Sequence, residues 1–333
     1  MKASWRHALS LFIGAAVSLG LLCFAFRNVA FSKFVDILGG LRPEWIPVLL
    51  ALPVLDLWVR SMRWKLLLEP AASAPVSKLM KLECIGLGLN NLLFFRMGEL
   101  ARGYFTATAL GIPLWSALAT ILVERLCDTA ALLALFGACS FGMEGIVSPS
   151  VQKSALAAAA AFTALLVGIS ALEHLLERFA FWRRLEGAHP RLRRFIEELV
   201  LGTGALRRPS RAVLAAFLSL GLWLCDAGLY WAAGRALGFE PGLSYLRSVA
   251  VLASASAASA LPALPGAFGN FEAAVKLVLE HMGYGPDLSA VYATLVHLTM
   301  YVVVTVLGIF FLHRLGYRVS GIKRTLGEGL ERK

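Results

Sequence analysis

The residues best suited to chemistry are charged side chains inside an apolar stretch. Glu124, Arg125 and Asp128 lie ten or more residues into the apolar run 114–143. A charge at the centre of a membrane span costs about 2.5–3.5 kcal/mol, so such groups face the protein interior and are paired. On a helix, Glu124 and Asp128 lie one turn apart and could share a proton or a cation. An internal ion pair that only holds helices together is the alternative.

A second set of charges follows two asparagines in the stretch 82–102. Arg96, Glu99 and Arg102 are spaced i, i+3 and i+6, which puts them on one face of a helix. Two guanidinium groups on one face are suited to bind a phosphate. If this helix face lies near water, its alternating positive and negative side chains would instead form solvent-exposed salt bridges. Asn91 lies just before this face and belongs to the candidate site.

The twelve residues 261–272, LPALPGAFGNFE, combine two prolines and two glycines between apolar segments. Pro265 lacks a backbone donor, and Gly266 and Gly269 permit tight turns. Broken backbone is tolerated at membrane depth only against protein or a water-filled cavity. A helix beginning near Asn270 would point free N–H groups and its positive dipole end at such a cavity and form an anion site. The alternative is a proline-kinked helix packed through Ala and Ser residues.

Three further polar residues accompany this stretch. Glu272 and Lys276 are spaced i, i+4 with the acid first, the favourable order for a helical ion pair. A structural pair and a substrate contact both fit that spacing. His297 lies in the apolar run 288–312. Alone it is typical of a packed, hydrogen-bonded histidine, and its place opposite the cluster at 124–128 favours a site residue.

The elements that must position these residues are membrane helices. The 333 residues are 58% hydrophobic and 16% charged, with a mean hydropathy of +0.71, far from an ordinary soluble domain. Apolar runs near or above the ~18–20 residues that cross a bilayer recur along the chain. The sequence therefore predicts an all-α, polytopic membrane protein in which residues 1–333 form one integral membrane domain.

Charge bias sets the expected topology. Six full spans are predicted at 8–26, 45–59, 114–143, 155–172, 212–231 and 288–312, and two re-entrant helix hairpins at 82–102 and 248–281. With both termini cytoplasmic, twenty-four of the 32 Lys and Arg residues lie on the cytoplasmic side and six outside, in keeping with the positive-inside bias. In this topology Arg60 and Arg63 belong to a cytoplasmic loop, and 27–44 is an outside loop.

The two re-entrant segments enter from opposite faces, so residues 1–154 and 155–333 form an inverted repeat. In such folds substrates bind near the midplane between broken helices. The Arg-rich segment 173–211 is expected to be a cytoplasmic amphipathic helix on anionic lipid. The sequence contains no metal-spaced His/Cys set, GxSxG or Walker loop, so no cofactor or metal is expected. Nucleic acid is not an expected partner.

Three motifs give the chain a family resemblance over nearly its whole length: NNLLFFRMGELAR, ERLCD and LPALPGAFGNFE, in this order. It resembles the transmembrane flippase domain of bacterial lysylphosphatidylglycerol synthases and the stand-alone relatives of that domain. The resemblance implies a protein of the bacterial cytoplasmic membrane that moves a phospholipid or lipid-linked head group between leaflets. The matching positions are Asn91, Arg96, Gly98, Glu99, Arg102, Glu124, Arg125, Asp128, Pro265, Gly266, Gly269 and Glu272.

The chain departs from the family pattern at two places. Phe94 and Phe95 stand where a proline usually precedes the arginine. His297 stands where the last helix usually offers an arginine. The sequence shows no aminoacyl-transferase domain after the membrane region, so lysylation of lipid is not expected.

Three functions fit these observations. A lipid flippase would pass the head group through a polar cavity between the halves, with the arginines and the helix end at 266–270 neutralising a phosphate. An intramembrane lipid-modifying enzyme would use Glu124 and Asp128 as acid and base. A non-transporting subunit of an envelope glycolipid pathway would act in a complex. Membrane lipids are the expected partners, with a second copy of the chain or a lipid-biosynthesis protein as further ones.

Overall fold

All regular structure in the described part of the chain is helical. The computed structural model describes residues 16–93, 97–143, 145–176, 197, 202–261 and 264–317, with the backbone alone for 172–176. Arg96 and most of the predicted amphipathic segment 173–211 lie outside the described residues. The α-helices are α1 (Ala16–Phe26), α2 (Phe31–Gly39), α3 (Ile46–Leu68), α4 (Val76–Leu92), α5 (Met97–Leu110), α6 (Leu114–Cys139), α7 (Pro149–Leu176), α8 (Pro209–Ala236), α9 (Tyr245–Ser259), α10 (Asn270–His281) and α11 (Pro286–Arg314).

In the described part of the chain, four helices are long and apolar enough to cross a membrane. These spans coincide with α3, α7, α8 and α11: Pro43–Leu68, Pro149–Ala171, Pro209–Ala236 and Pro286–Arg314. Helix α6 has 26 residues and is about 39 Å long at 1.5 Å per residue, which exceeds a hydrocarbon core of about 30 Å. The chain is therefore an all-helical, polytopic integral membrane protein, as the sequence predicts.

Helix α3 differs most from the prediction, which placed a short span at 45–59. It continues to Leu68, so Arg60 and Arg63 lie inside the helix and not in a cytoplasmic loop. Both arginines are buried, and so is Trp64 on the next turn. The prediction was wrong because basic residues after an apolar run were interpreted as a loop, whereas partners from other helices neutralise them here. The 27–44 connection also contains a helix, α2.

The first predicted re-entrant stretch consists of two helices with a break between them. Helix α4 ends at Leu92, and Leu93 is extended, with φ −109° and ψ 145°. The two helices pack closely, since a Cβ built on Gly98 would lie 2.0 Å from the carbonyl oxygen of Gly86. Both helices extend beyond the predicted bounds of 82–102. At about 26 Å and 21 Å, neither α4 nor α5 alone crosses a bilayer.

The second predicted stretch is also broken. Helix α9 ends at Ser259, and α10 begins at Asn270, the residue predicted as the helix start. Between them Pro265–Ala267 form a single 3-10 turn. The backbone φ angles are +76° at Gly266 and +88° at Gly269, values at which residues with a Cβ are strained. No continuous helix therefore runs through Pro265 and Gly266.

Helix α1 closes on this second break. The Leu264 amide donates to Ser18 Oγ at 2.8 Å. A Cβ on Gly269 would lie 2.2 Å from the Ser18 carbonyl oxygen, so the glycine permits the contact. Farther along α1, the Lys276 ammonium donates to the Ala25 carbonyl oxygen at 2.6 Å. The broken backbone is thus packed against protein, the condition that a membrane imposes on it.

Helices α4 and α11 cross where two glycines meet. A Cβ on Gly308 would lie 2.5 Å from the Cys84 carbonyl oxygen and 2.9 Å from the Gly88 Cα atom. Small residues of this kind let membrane helices approach closely and gain packing contacts. Helix α3 packs along α8, and α6 packs along α7 and α8. Helices from early and late parts of the chain therefore pack against one another.

The glycine crossing gives a prediction with a matched control. Gly308→Ala should destabilise the protein by about 1–3 kcal/mol because the added methyl group meets backbone atoms that cannot rotate away. Gly221→Ala, on α8, adds the same group where nothing lies within 4 Å and should be neutral or stabilising by up to about 1 kcal/mol. Thermal unfolding in detergent measures both. Equal shifts for the two variants would contradict the close crossing.

Candidate functional site

Ten charged side chains from α3, α4, α5, α6 and α8 form one connected network of ion pairs. Eight of them are less than a tenth exposed. Removing the partner of a buried ion costs about 3–5 kcal/mol, so burial on this scale requires that each charge be paired. The members are Asp56, Arg60, Arg63, Glu83, Glu99, Arg102, Glu124, Arg125, Asp128 and Asp226.

Arg102 on α5 lies at the centre of the α4–α5–α6 contact. Its guanidinium is 2.5 Å from a Glu83 carboxylate oxygen and 2.7 Å from one of Glu124. The guanidinium carbon also lies 3.6 Å from the centroid of the Trp64 ring, a cation–π contact. Arg102 is 1% exposed. It is therefore buried among protein groups, and Arg96, its predicted partner in a phosphate fork, lies outside the described residues.

Arg63 on α3 connects α6 to α8. Its guanidinium donates to the Asp128 carboxylate and, at 3.0 Å, to Ser219 Oγ. A second nitrogen of the same group lies 3.5 Å from Glu124. Glu124 and Asp128 thus lie on one face of α6, as predicted, but arginines separate their charges and take up the oxygens that a shared proton or cation would need.

Arg60 joins α3 to α8 one turn earlier. It donates to Asp56 at 2.6 Å and to Asp226 at 3.3 Å. A third carboxylate, that of Asp128, lies 3.5 Å away. The indole N–H of Trp223 on α8 donates to the Asp128 carbonyl oxygen at 2.9 Å. Arg60 therefore ties α3 to α8 through Asp226 and to α6 through Asp128, while Asp56 is its partner on α3 itself.

The network reaches its most exposed edge at Glu99 and Arg125. Their side chains are each 28% exposed, and the ion pair between them measures 3.3 Å. Arg125 also lies 3.3 Å from Glu124 and 3.3 Å from Asp128. Glu99 lies in the first turn of α5, next to the break after α4. A ligand that approaches the network would meet these two side chains first.

A second buried pair joins α10 to α11. Nδ1 of His297 lies 2.5 Å from the Glu272 carboxylate, and Nε2 lies 2.7 Å from the Gly266 carbonyl oxygen. The ring stacks on Phe271 with centroids 4.4 Å apart. Both ring nitrogens therefore lie within hydrogen-bond distance of an oxygen atom, and His297 joins α10 and the second break to α11.

Glu272 also occupies the start of its own helix. The Gly269 amide donates to its second carboxylate oxygen at 2.7 Å, so the helix end predicted as an anion site holds a carboxylate of the chain itself. The predicted Glu272–Lys276 ion pair was wrong. Lys276 instead lies 3.7 Å from Glu280 and binds the end of α1, because Glu272 is drawn to His297.

The remaining predicted residues lie around the two breaks. Asn91 donates to Thr305 Oγ1 on α11 at 2.9 Å. Asn270 donates to the Ala258 carbonyl oxygen at 3.2 Å and is 3% exposed. Pro265 begins the 3-10 turn of the second break. The second break packs on α4 and, through His297, on α11, whereas the charge network lies between α3, α4, α5, α6 and α8.

Half of the charge network was not among the predicted site residues: Asp56, Arg60, Arg63, Glu83 and Asp226. Two signals point to four of them. Asp56 and Arg60 are spaced i, i+4 inside an apolar helix, where isolated charges are unfavourable. Glu83 and Asp226 are single acids in apolar helices, and an acid of that kind needs a cation from elsewhere in the fold.

These features define a class of protein: a polytopic membrane protein whose interior holds a paired charge network beside two broken helix pairs. Ionisable residues at membrane depth are typical of transport pathways and proton relays. Broken helices are typical of membrane transporters, in which they line the substrate site.

The chain belongs to the family described as Lysylphosphatidylglycerol synthase TM region, which it matches over residues 11–308. The resemblance inferred from three motifs is confirmed by this match. The chain is also similar to a UPF0104 membrane protein of Methanocaldococcus jannaschii, with 30% identity over 108 residues. That match covers 32% of each chain, so the aligned part spans about a third of the relative's length.

Proposed function

We propose that this protein is a lipid flippase that moves a phospholipid or lipid-linked head group between leaflets while the acyl tails stay in the bilayer. The observation that carries the proposal is the Glu99–Arg125 pair. It is the half-open edge of an otherwise buried charge network, and it lies beside the α4–α5 break. A head group that carries charge would find there a cation and an anion that can exchange partners.

The order of helices supports this function. A long helix, two short helices and a long helix follow one another in α3–α6 and again in α8–α11. The contacts correspond as well, because α4 packs on α11 and α9 packs on α6, while α3 packs on α8. We interpret the two sets as an inverted repeat with re-entrant helix pairs, an arrangement in which transporters bind substrate near the midplane.

In each proposed half, a buried acid–base pair joins the second short helix to the long helix that follows it. Arg102 on α5 binds Glu124 on α6, and Glu272 on α10 binds His297 on α11. In the first pair the base lies on the short helix and the acid on the long helix, and in the second pair the positions of acid and base are reversed. Such pairs would let the short helices move as units with their neighbours during transport.

The orientation that we propose keeps both termini in the cytoplasm of a bacterial cell. Arg60, Arg63 and Arg102 are buried, so they are no longer counted among the cytoplasmic charges. The remaining excess of Lys and Arg still falls on the cytoplasmic side, in keeping with the positive-inside bias. Glu124 and Asp128 each contact at least two arginines, which favours a transporter over an enzyme that would need them as free acid and base.

Cells with and without the protein separate the candidate functions. We expect the membrane lipids of both to contain the same covalent species, whereas the leaflet in which one head group is found should change. Mass spectrometry measures the species, and a membrane-impermeant label for the head group measures the outer leaflet. A lipid species that disappears with the gene would indicate an enzyme, and an unchanged leaflet distribution would contradict the flippase.

A further inference from the structure

The short helix α2 carries an apolar face that the described residues leave uncovered. Its nine residues contain none that is buried. Phe31, Val35 and Leu38 are 80%, 50% and 43% exposed, and their i, i+4 and i+7 spacing puts them on one side of the helix. The opposite side is polar: Ser32, Lys33 and Asp36.

Contacts with α11 fix the position of α2. The Ala30 amide, just before α2, donates to Asp287 Oδ1 at 2.8 Å. Lys33 Nζ lies 3.7 Å from the other oxygen of the same carboxylate. Asp287 is the second residue of α11, which has 29 residues and is about 43 Å long. A helix of this length extends past a hydrocarbon core of about 30 Å, so its first turn lies at the edge of the bilayer.

The surface next to α2 is one that a membrane covers. Helix α11 is one of the four candidate spans, and it exposes Leu298, Val302 and Val306 by 44%, 51% and 60%. The apolar face of α2 therefore lies at the end of a lipid-facing helix, at the depth where interfacial helices bury one side among head groups and upper acyl chains.

We infer that α2 is an interfacial helix and that lipid is the occupant of its apolar face. One lysine and one aspartate leave α2 without net charge, so the helix itself offers anionic lipid no net attraction. Burial of apolar side chains holds it at the surface. This inference is independent of lipid transport, and the position of α2 against α11 alone carries it.

Photo-crosslinking of the full-length protein in lipid nanodiscs tests this placement. Benzoylphenylalanine is introduced in turn at Phe31, Val35, Lys33 and Asp36, and intact-protein mass spectrometry follows irradiation. The monodisperse fraction of each variant is used, so misfolded material is excluded. We expect the variants at the two apolar positions to gain the mass of one phospholipid. The variants at the two polar positions should form no such adduct. Both results should hold in zwitterionic and in anionic nanodiscs.

Three outcomes would overturn the inference. A crosslink to a second copy of the chain would assign the face to a dimer. A crosslink within the chain, to residues 1–15 or 318–333, would show that a terminal segment covers it. Equal labelling at all four positions, or a lipid adduct that forms only in anionic nanodiscs, would contradict an uncharged helix held by its apolar face.

Discussion

Arg102→Met should lower the free energy of unfolding by about 3–5 kcal/mol, the usual cost of removing one partner of a buried ion pair. The variant keeps most of the side-chain volume but leaves Glu83 without the arginine that contacts both of its oxygens. It also removes the guanidinium from the Trp64 ring. Glu83 is 0% exposed, so bulk water does not reach the freed carboxylate and the loss should be large.

Thermal unfolding in detergent measures this effect. Arg314→Met is the matched control, because Arg314 is exposed at the end of α11 and surface charges contribute about 0–1 kcal/mol. Adding Glu83→Gln to the Arg102→Met variant should recover part of the loss, since the uncompensated charge is then gone. If Arg102→Met unfolds at the same temperature as the control, the network does not stabilise the fold.

Arg125→Gln should slow lipid movement by about tenfold to a hundredfold, the range that corresponds to one charge-assisted hydrogen bond of 1.5–3 kcal/mol. The fold should tolerate the change. Glu124 keeps Arg102, and Asp128 keeps Arg63. Because Arg125 is half-buried at the edge of the network, the variant removes the charge proposed to meet the head group and leaves the buried pairs in place.

The initial rate of transbilayer movement in reconstituted vesicles measures the effect of Arg125→Gln. Lys153→Gln is the control: it removes an exposed charge near the start of α7 and should leave the rate unchanged. Glu99→Gln should reduce the rate as well, since Glu99 is the partly exposed partner of Arg125. If all three variants move lipid at the same rate as the unchanged protein, the head group does not pass the Glu99–Arg125 pair.

The helix breaks were more predictable from sequence than the charge network. Pro265 restricts the local backbone, and Gly266 and Gly269 permit its positive φ angles, so the start of α10 at Asn270 follows from neighbours in the chain. The partner of Glu272 cannot be inferred from neighbouring residues in this way. Lys276 has the favourable spacing along the helix, but His297 comes from a helix 25 residues away and binds in its place.

Arg60 and Arg63 show the same limit for the network. Lys and Arg after an apolar run are usually loop residues, and the positive-inside bias favours that interpretation. They lie inside α3 because Asp128 and Asp226 approach from α6 and α8. Those acids are 65 and 166 residues away in the chain. The packing of α3 on both α6 and α8 brings the charges together, and this packing cannot be read from the residues next to Arg60 and Arg63 in the chain.

The most direct test of the flippase proposal is a leaflet assay in vesicles reconstituted with the purified protein. A fluorescent phospholipid is placed in both leaflets, dithionite bleaches the outer one, and the protected fraction is followed over time for a panel of head groups. The flippase proposal predicts that the protein lowers the protected fraction of at least one lipid below that of protein-free vesicles, and that Arg125→Gln restores it. A protected fraction of one half for every lipid of the native membrane, with and without the protein, would contradict it.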